Sequence, residues 1–132
     1  MPSLPGFGES PAPSADKVEY EQAAALAKTN PDQAKARLEA LRQKDPEGEL
    51  ADDIAVSLAQ IHRAKKDEPR AAAALEAGLK AQPQGNRSDE IRLDLAQIES
   101  ARGRKETAYV VLAPVRLQNL TAGERREALR LL

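Results

Sequence analysis

Cysteine and tryptophan are missing from this 132-residue chain, and Phe7, Tyr20 and Tyr109 are its whole aromatic inventory. Without cysteine there is no disulfide, no thiolate zinc site and no thiol nucleophile. A shortage of aromatic side chains weighs against β-sandwiches and barrels. A core of Ala, Leu, Ile and Val suits close-packed helices instead, because small side chains let helix axes approach. Charge of one sign is lacking too: the formal net charge is −1. With no basic field to release counterions from a phosphate backbone, nucleic acid is not an expected partner. No apolar run nears the roughly 20 residues that cross a bilayer as a helix. The opening stretch Met1 to Gly8 has neither a basic n-region nor an apolar h-region, so a signal peptide is expected to be absent or removed.

Catalytic constellations are equally scarce. His62 is the single histidine, and with no cysteine and no HExxH spacing it does not build a metal site. Neither GxxxxGK nor GxGxxG occurs, so no phosphate-cradling loop and no cofactor is expected. The carboxylate pairs Asp52/Asp53 and Asp89/Glu90 are of the type used in acid–base chemistry. Each pair opens a helical stretch, however, where the helix dipole accounts for it more simply. The chain therefore reads as non-catalytic.

What is present is a repeat. Residues 1–14, with Pro2, Pro5, Pro11 and Pro13 between Gly6 and Gly8, read as a tether, with packing back through Leu4 and Phe7 as the other possibility. From there on the pattern is helical. An Ala followed four residues later by Leu recurs at Ala34/Leu38, Ala71/Leu75 and Ala108/Leu112, a period of 37 residues held twice. At the same offset Ile54, Leu58 and Ile61 align with Ile91, Leu95 and Ile98, each triplet lying on one helical face. Such a period with two helices per unit marks a solenoid. The spacing predicts helices near 15–28, 31–44, 50–65, 68–82, 88–102, 105–118 and 122–132. Asn30-Pro31-Asp32-Gln33 and Thr121-Ala122-Gly123-Glu124 have capping spacing, and Ser88 is placed before an acidic first turn. Gly103 falls where positive φ is useful. Asn86-Arg87-Ser88 and Asn119-Leu120-Thr121 match the glycosylation triplet, though both hydroxyl residues read first as caps.

These residues resemble the tetratricopeptide repeat. The middle unit carries its small and large positions at Leu58, Ala59, Ala71, Leu75, Leu79 and Pro83. The next unit carries Leu95, Ala96, Gly103, Ala108 and Leu112, and the first carries Ala34, Leu38 and Pro46. The family's first-helix Trp position holds Ala55, and its Tyr position holds His62 and Glu99. The resemblance implies an all-α solenoid of about three helix pairs plus the start of a fourth. Its repeats would span residues 15–46, 50–83 and 88–120, with a partial one at 121–132, in a domain covering 15–132. Its function would be that of a protein–protein interaction scaffold.

The longer period and the Pro-x-Gly turns are similar to bacterial envelope members, among them outer-membrane assembly lipoproteins, the cell-division coordinator and penicillin-binding-protein activators. That similarity implies an outer-membrane-tethered periplasmic module serving envelope assembly or cell-wall machinery. A lipid anchor would precede the chain, with Met1 in place of the lipidated cysteine. A cytoplasmic adaptor or self-association scaffold of the same fold stands as the alternative, with the apolar C-terminal end as a self-association surface.

By repeat position the concave face of the first helices would carry Asp53, Val56, Gln60 and Arg63 from one unit, and Glu90, Leu93, Gln97 and Ser100 from the next. Two amides one unit apart, Gln60 and Gln97, suit hydrogen bonding to an extended peptide. Val56, Gln60, Leu93 and Gln97 stand where chaperone-tail binders of the family carry a Lys and Asn carboxylate clamp, so an acidic C-terminal tail is not the expected ligand. The basic residues Arg63, Lys65 and Lys66, and then Arg102, Arg104 and Lys105, close these helices where cations complement the dipole.

Overall fold

The computed structural model describes residues 14–132, and the fold among them is all-α, without a strand. The expected tether falls almost wholly on residues 1–13, outside the described residues. The helices are α1 (Ala15–Ala25), α2 (Pro31–Lys44), α3 (Ala51–Ala64), α4 (Glu68–Ala81), α5 (Ser88–Ala101), α6 (Lys105–Leu112) and α7 (Ala122–Leu131). Short 3-10 turns follow α1 at Leu26–Lys28 and precede α7 at Leu117–Asn119.

Side-chain caps start several of these helices. The Ser14 hydroxyl accepts from Lys17 N at 3.1 Å, Asn30 Oδ1 from Gln33 N at 3.3 Å and Asp67 Oδ1 from Arg70 N at 3.2 Å. Thr121 and Glu124 close a reciprocal capping box before α7. The ends of α3 and α5 are built alike, 37 residues apart. Asp67 N donates to His62 O and Lys66 N to Arg63 O, while Arg104 N donates to Glu99 O and Gly103 N to Ser100 O. This is the Schellman arrangement, which needs a left-handed residue at its turn. Gly103 supplies it with φ of 80°, and Lys66 with φ of 58°.

Three expectations need correction. The first helix becomes a 3-10 turn at Leu26 rather than running to residue 28 as α-helix, because Asn30 precedes Pro31 and is held at φ −145°, ψ 76°. The helix expected over 105–118 stops at Leu112. Pro114 has no N–H to continue it, and its ring would clash with the carbonyl one turn back. Ser88 is the first residue of α5 and is 1% exposed, so it packs inside while Arg87 occupies the cap position.

Consecutive helices pack on one another, and the first helices of successive pairs also touch, α3 on α5 and α5 on α7. Three apolar clusters fill the layers. The first joins Ala23, Ala34, Leu38 and Leu41 to Ile54, Leu58 and Ile61. The second joins Val56 and Ala59 to Ala71, Leu75, Ile91, Leu95 and Ile98. The third joins Leu93 and Ala96 to Ala108, Leu112, Leu120 and Ala128. Thus α3 and α5 are each buried on two faces, one toward the preceding pair and one toward the following pair. The result is a repeat-like stack in which every layer needs its neighbours.

Candidate functional site

The expected binding residues lie on α3 and α5, but not all of them reach solvent. Val56 is 1% exposed and Leu93 is 2% exposed. Both point forward into the second and third clusters, so they belong to the core and not to a binding face. The apolar triplets Ile54/Leu58/Ile61 and Ile91/Leu95/Ile98 account for only one of the two buried faces, and Val56 and Leu93 serve the other. Gln60 and Arg63 are exposed, while Asp53, Glu90, Gln97 and Ser100 are half-buried.

Two of the remaining residues, Asp53 and Glu90, are drawn together by Arg87, which the sequence offers only as the middle of a glycosylation triplet. Its Nη1 donates to Asp53 Oδ1 at 3.0 Å, and its Nε and Nη2 donate to Glu90 Oε2 and Oε1, each at 3.0 Å. The fork is bidentate toward Glu90 and bridges α3 to α5. Asp94, one turn beyond Glu90, is a second residue not singled out in the sequence. Its carboxyl is pushed up to about 6, first by burial and then by the neighbouring charge of Glu90, with Glu124 adding to it and Arg63 and Arg87 opposing. From α7, Glu127 accepts from Arg130 Nε at 3.0 Å, and its carboxyl is held below the usual range by Arg130 first.

The carboxylates of Asp53, Glu90, Asp94, Glu124 and Glu127 outnumber the guanidinium groups of Arg63, Arg87 and Arg130 along this face. The whole molecule is close to neutral, so the acidity is local. Sequence reading missed it because Asp94 replaces Ser57 of the preceding unit. Ser57 shares a hydrogen bond of 2.9 Å with the Tyr20 hydroxyl, which also donates to Asp53 O at 3.3 Å. Asp94 is given no such partner.

The helix-opening carboxylates Asp52 and Asp89 play a different part. They are 5% and 6% exposed. Asp52 accepts from Asp53 N at 2.9 Å and from Arg87 N at 3.3 Å. Asp89 accepts from Asn119 Nδ2 at 2.9 Å and lies 3.6 Å from Arg116 Nε. Each fastens one unit to the loop of the next. His62 is 7% exposed and is kept below its ordinary pKa mainly by burial. Glu99, its counterpart one unit later, is 2% exposed and sits 3.2 Å from Arg102 Nη1 and 3.6 Å from Arg104 Nη1.

Fold and face together define an all-α, repeat-like helical protein with a locally acidic polar surface on its first helices. No protein-family model, curated protein or solved structure matches the chain.

Proposed function

We propose that the chain is a non-catalytic protein-interaction scaffold of tetratricopeptide type, and that it holds a basic segment of its partner against the α3–α5–α7 face. The observation that carries this reading is the surplus of carboxylates there, centred on Asp94, whose pKa is raised first by burial and then by the charge of Glu90, and which has no cation paired to it among the described residues although Arg63 and Arg87 partly oppose the rise. A Lys or Arg from a partner would supply that cation and relieve the repulsion. Asp53, Gln60, Arg63, Glu90, Gln97 and Ser100 form the polar surround. The 37-residue unit and the Pro/Gly-rich residues 1–14 favour an envelope module tethered to the outer membrane and serving cell-wall or outer-membrane assembly. A cytoplasmic adaptor is the second reading.

The test is capture of partners on the immobilised chain, separately from envelope and cytosolic extracts, with a Gln60→Arg/Gln97→Arg variant as control. The expected result is enrichment of an envelope protein that is lost with the variant and released by moderate salt. Capture that survives both the variant and salt would discard the acidic face. Capture only from cytosol would discard the envelope.

A further inference from the structure

The last helix of the stack turns a cationic face outward. On α7, Ala128 is buried and Glu124, Glu127 and Leu131 are half-buried on the side toward α5 and α6, a set spaced i, i+4, i, i+3 and i+7 around one helical face. The opposite side carries Arg125, Arg126 and Leu129, all exposed, Leu129 at 57%. Counted by the 37-residue period, Ala128 stands where Ile54 and Ile91 do, and all three are buried. In the same register Arg126 replaces Asp52 and Asp89, and Arg130 replaces Val56 and Leu93. Those are the residues by which α3 and α5 grip the unit that follows, the aspartates through its loop and the apolar pair through its cluster. On α7 the positions that join one unit to the next are therefore guanidinium groups. Arg130 is paired with Glu127, but no carboxylate pairs with Arg125 or Arg126 among the described residues.

This end belongs to a division of charge along the whole chain. Residues 102–132 carry seven Lys and Arg against the three carboxylates Glu106, Glu124 and Glu127, whereas residues 14–101 carry thirteen against seventeen. A surplus of four positive charges thus faces a deficit of four, in a chain whose formal net charge is only −1. Copies of such a molecule attract one another at low ionic strength, because their ends are complementary and little net charge holds them apart. The acidic end already has a place for cations, around Asp53, Glu90 and Asp94 on α3 and α5, where the carboxylates outnumber Arg63 and Arg87. Arginine is enriched at protein interfaces, and Leu129 beside it supplies apolar area. Resting on the reading of that face as a site for basic segments, we infer that the segment is α7 of a second copy, with Arg125 and Arg126 of one chain seated against the Asp53, Glu90 and Asp94 surface of the next. The two surfaces differ, so the contact is heterologous and copies add head to tail.

Sedimentation velocity of the full chain across a concentration series tests this. At low salt the mean mass is expected to climb from one chain to two and beyond, and to return to one chain as screening rises. Arg125→Glu/Arg126→Glu, confined to exposed positions, should stay a single chain under the same conditions. So should Gln60→Arg/Gln97→Arg, with helical circular dichroism retained in both. Mixed in equal amounts, the two variants should form a pair of chains and nothing larger, since one keeps the acidic face and the other the cationic stripe. An unaltered chain that stays single at low salt would overturn the inference. Assembly that survives high salt or Arg125→Glu/Arg126→Glu would overturn it too, as would a mixture of the variants that stays single. An oligolysine peptide added to Arg125→Glu/Arg126→Glu separates this from the wider reading. Binding that Gln60→Arg/Gln97→Arg abolishes keeps the acidic face as a site for basic segments even where self-association fails, and no binding removes both.

Discussion

At the scale of single residues, the clearest contrast is between Lys66 and Gly103. Both occupy the left-handed position that ends a first helix, at φ 58° and 80°. A side chain there meets its own backbone, at a cost of roughly 1 kcal/mol that glycine escapes. Lys66→Gly is therefore expected to stabilise the fold by about 0.5–1 kcal/mol, and Gly103→Ala to destabilise it by a similar amount. Urea midpoints with unchanged slopes would check both. Asp94 gives a pH signature of the opposite kind to most carboxylates. Its pKa rises from 3.8 to about 6 on folding, so the unfolded chain ionises first as pH rises. Stability from this group is intact below pH 3.8, is lost as pH climbs through about 6, and stays lost above it. Asp94→Asn should thus stabilise the protein at pH 7.5 by about 1–2 kcal/mol, after discounting for solvent screening, and leave it unchanged at pH 3.5. His62 slopes the other way. Buried and kept neutral, with its pKa lowered from 6.5, it withdraws stability as pH falls below that value. Chemical denaturation across pH would separate the two, since only the loss of stability as pH climbs through about 6 should disappear in Asp94→Asn.

Between elements, the decisive contact is the approach of α4 to α3. A Cβ added at Gly78 would lie 2.3 Å from the Ala55 Cβ, far inside contact distance. Alanine improves intrinsic helix propensity over glycine by about 1 kcal/mol, so a free helix would gain from Gly78→Ala. Here overpacking outweighs propensity, and the variant is expected to lose about 1–3 kcal/mol in thermal or urea unfolding. A neutral or stabilising result would mean that α3 and α4 can separate without loss. The same two helices show what sequence patterning conveys. The period, the apolar triplets and the capping residues made the helices from α2 to α5 legible, because those signals are local. The break at Pro114 is local as well, but the 37-residue period projects a full-length second helix across it.

For the whole molecule, what the sequence concealed was long-range. An apolar triplet shows one buried face of α3 or α5, whereas a stacked helix has two, so the pattern alone places Val56 and Leu93 on the surface although the fold buries them. The acidic face is not local in sequence, because α7 brings Glu124 and Glu127 beside α5 only when the two helices pack, and Asp52 and Asp89 have the spacing of dipole partners although the next unit's loop bonds to them. These two ties bear on how the stack unfolds. Each layer is completed by its neighbour, so the intact chain should unfold as one unit despite its repeating design. Tyr20 sits in the first layer and Tyr109 on α6 at the other end, two built-in reporters that fluorotyrosine NMR would resolve. Both are expected to share one urea midpoint. Asp89→Ala removes the acceptor of Asn119 and the partner of Arg116, a loss on the order of 1.5–3 kcal/mol for hydrogen bonds to a charged group. Because that loss falls on the junction between α5 and the α6–α7 end, the Tyr109 midpoint should drop below that of Tyr20. Equal displacement of the two midpoints would instead mean that Asp89 stabilises the stack globally, and that the units are coupled by their shared apolar clusters strongly enough to survive without the tie.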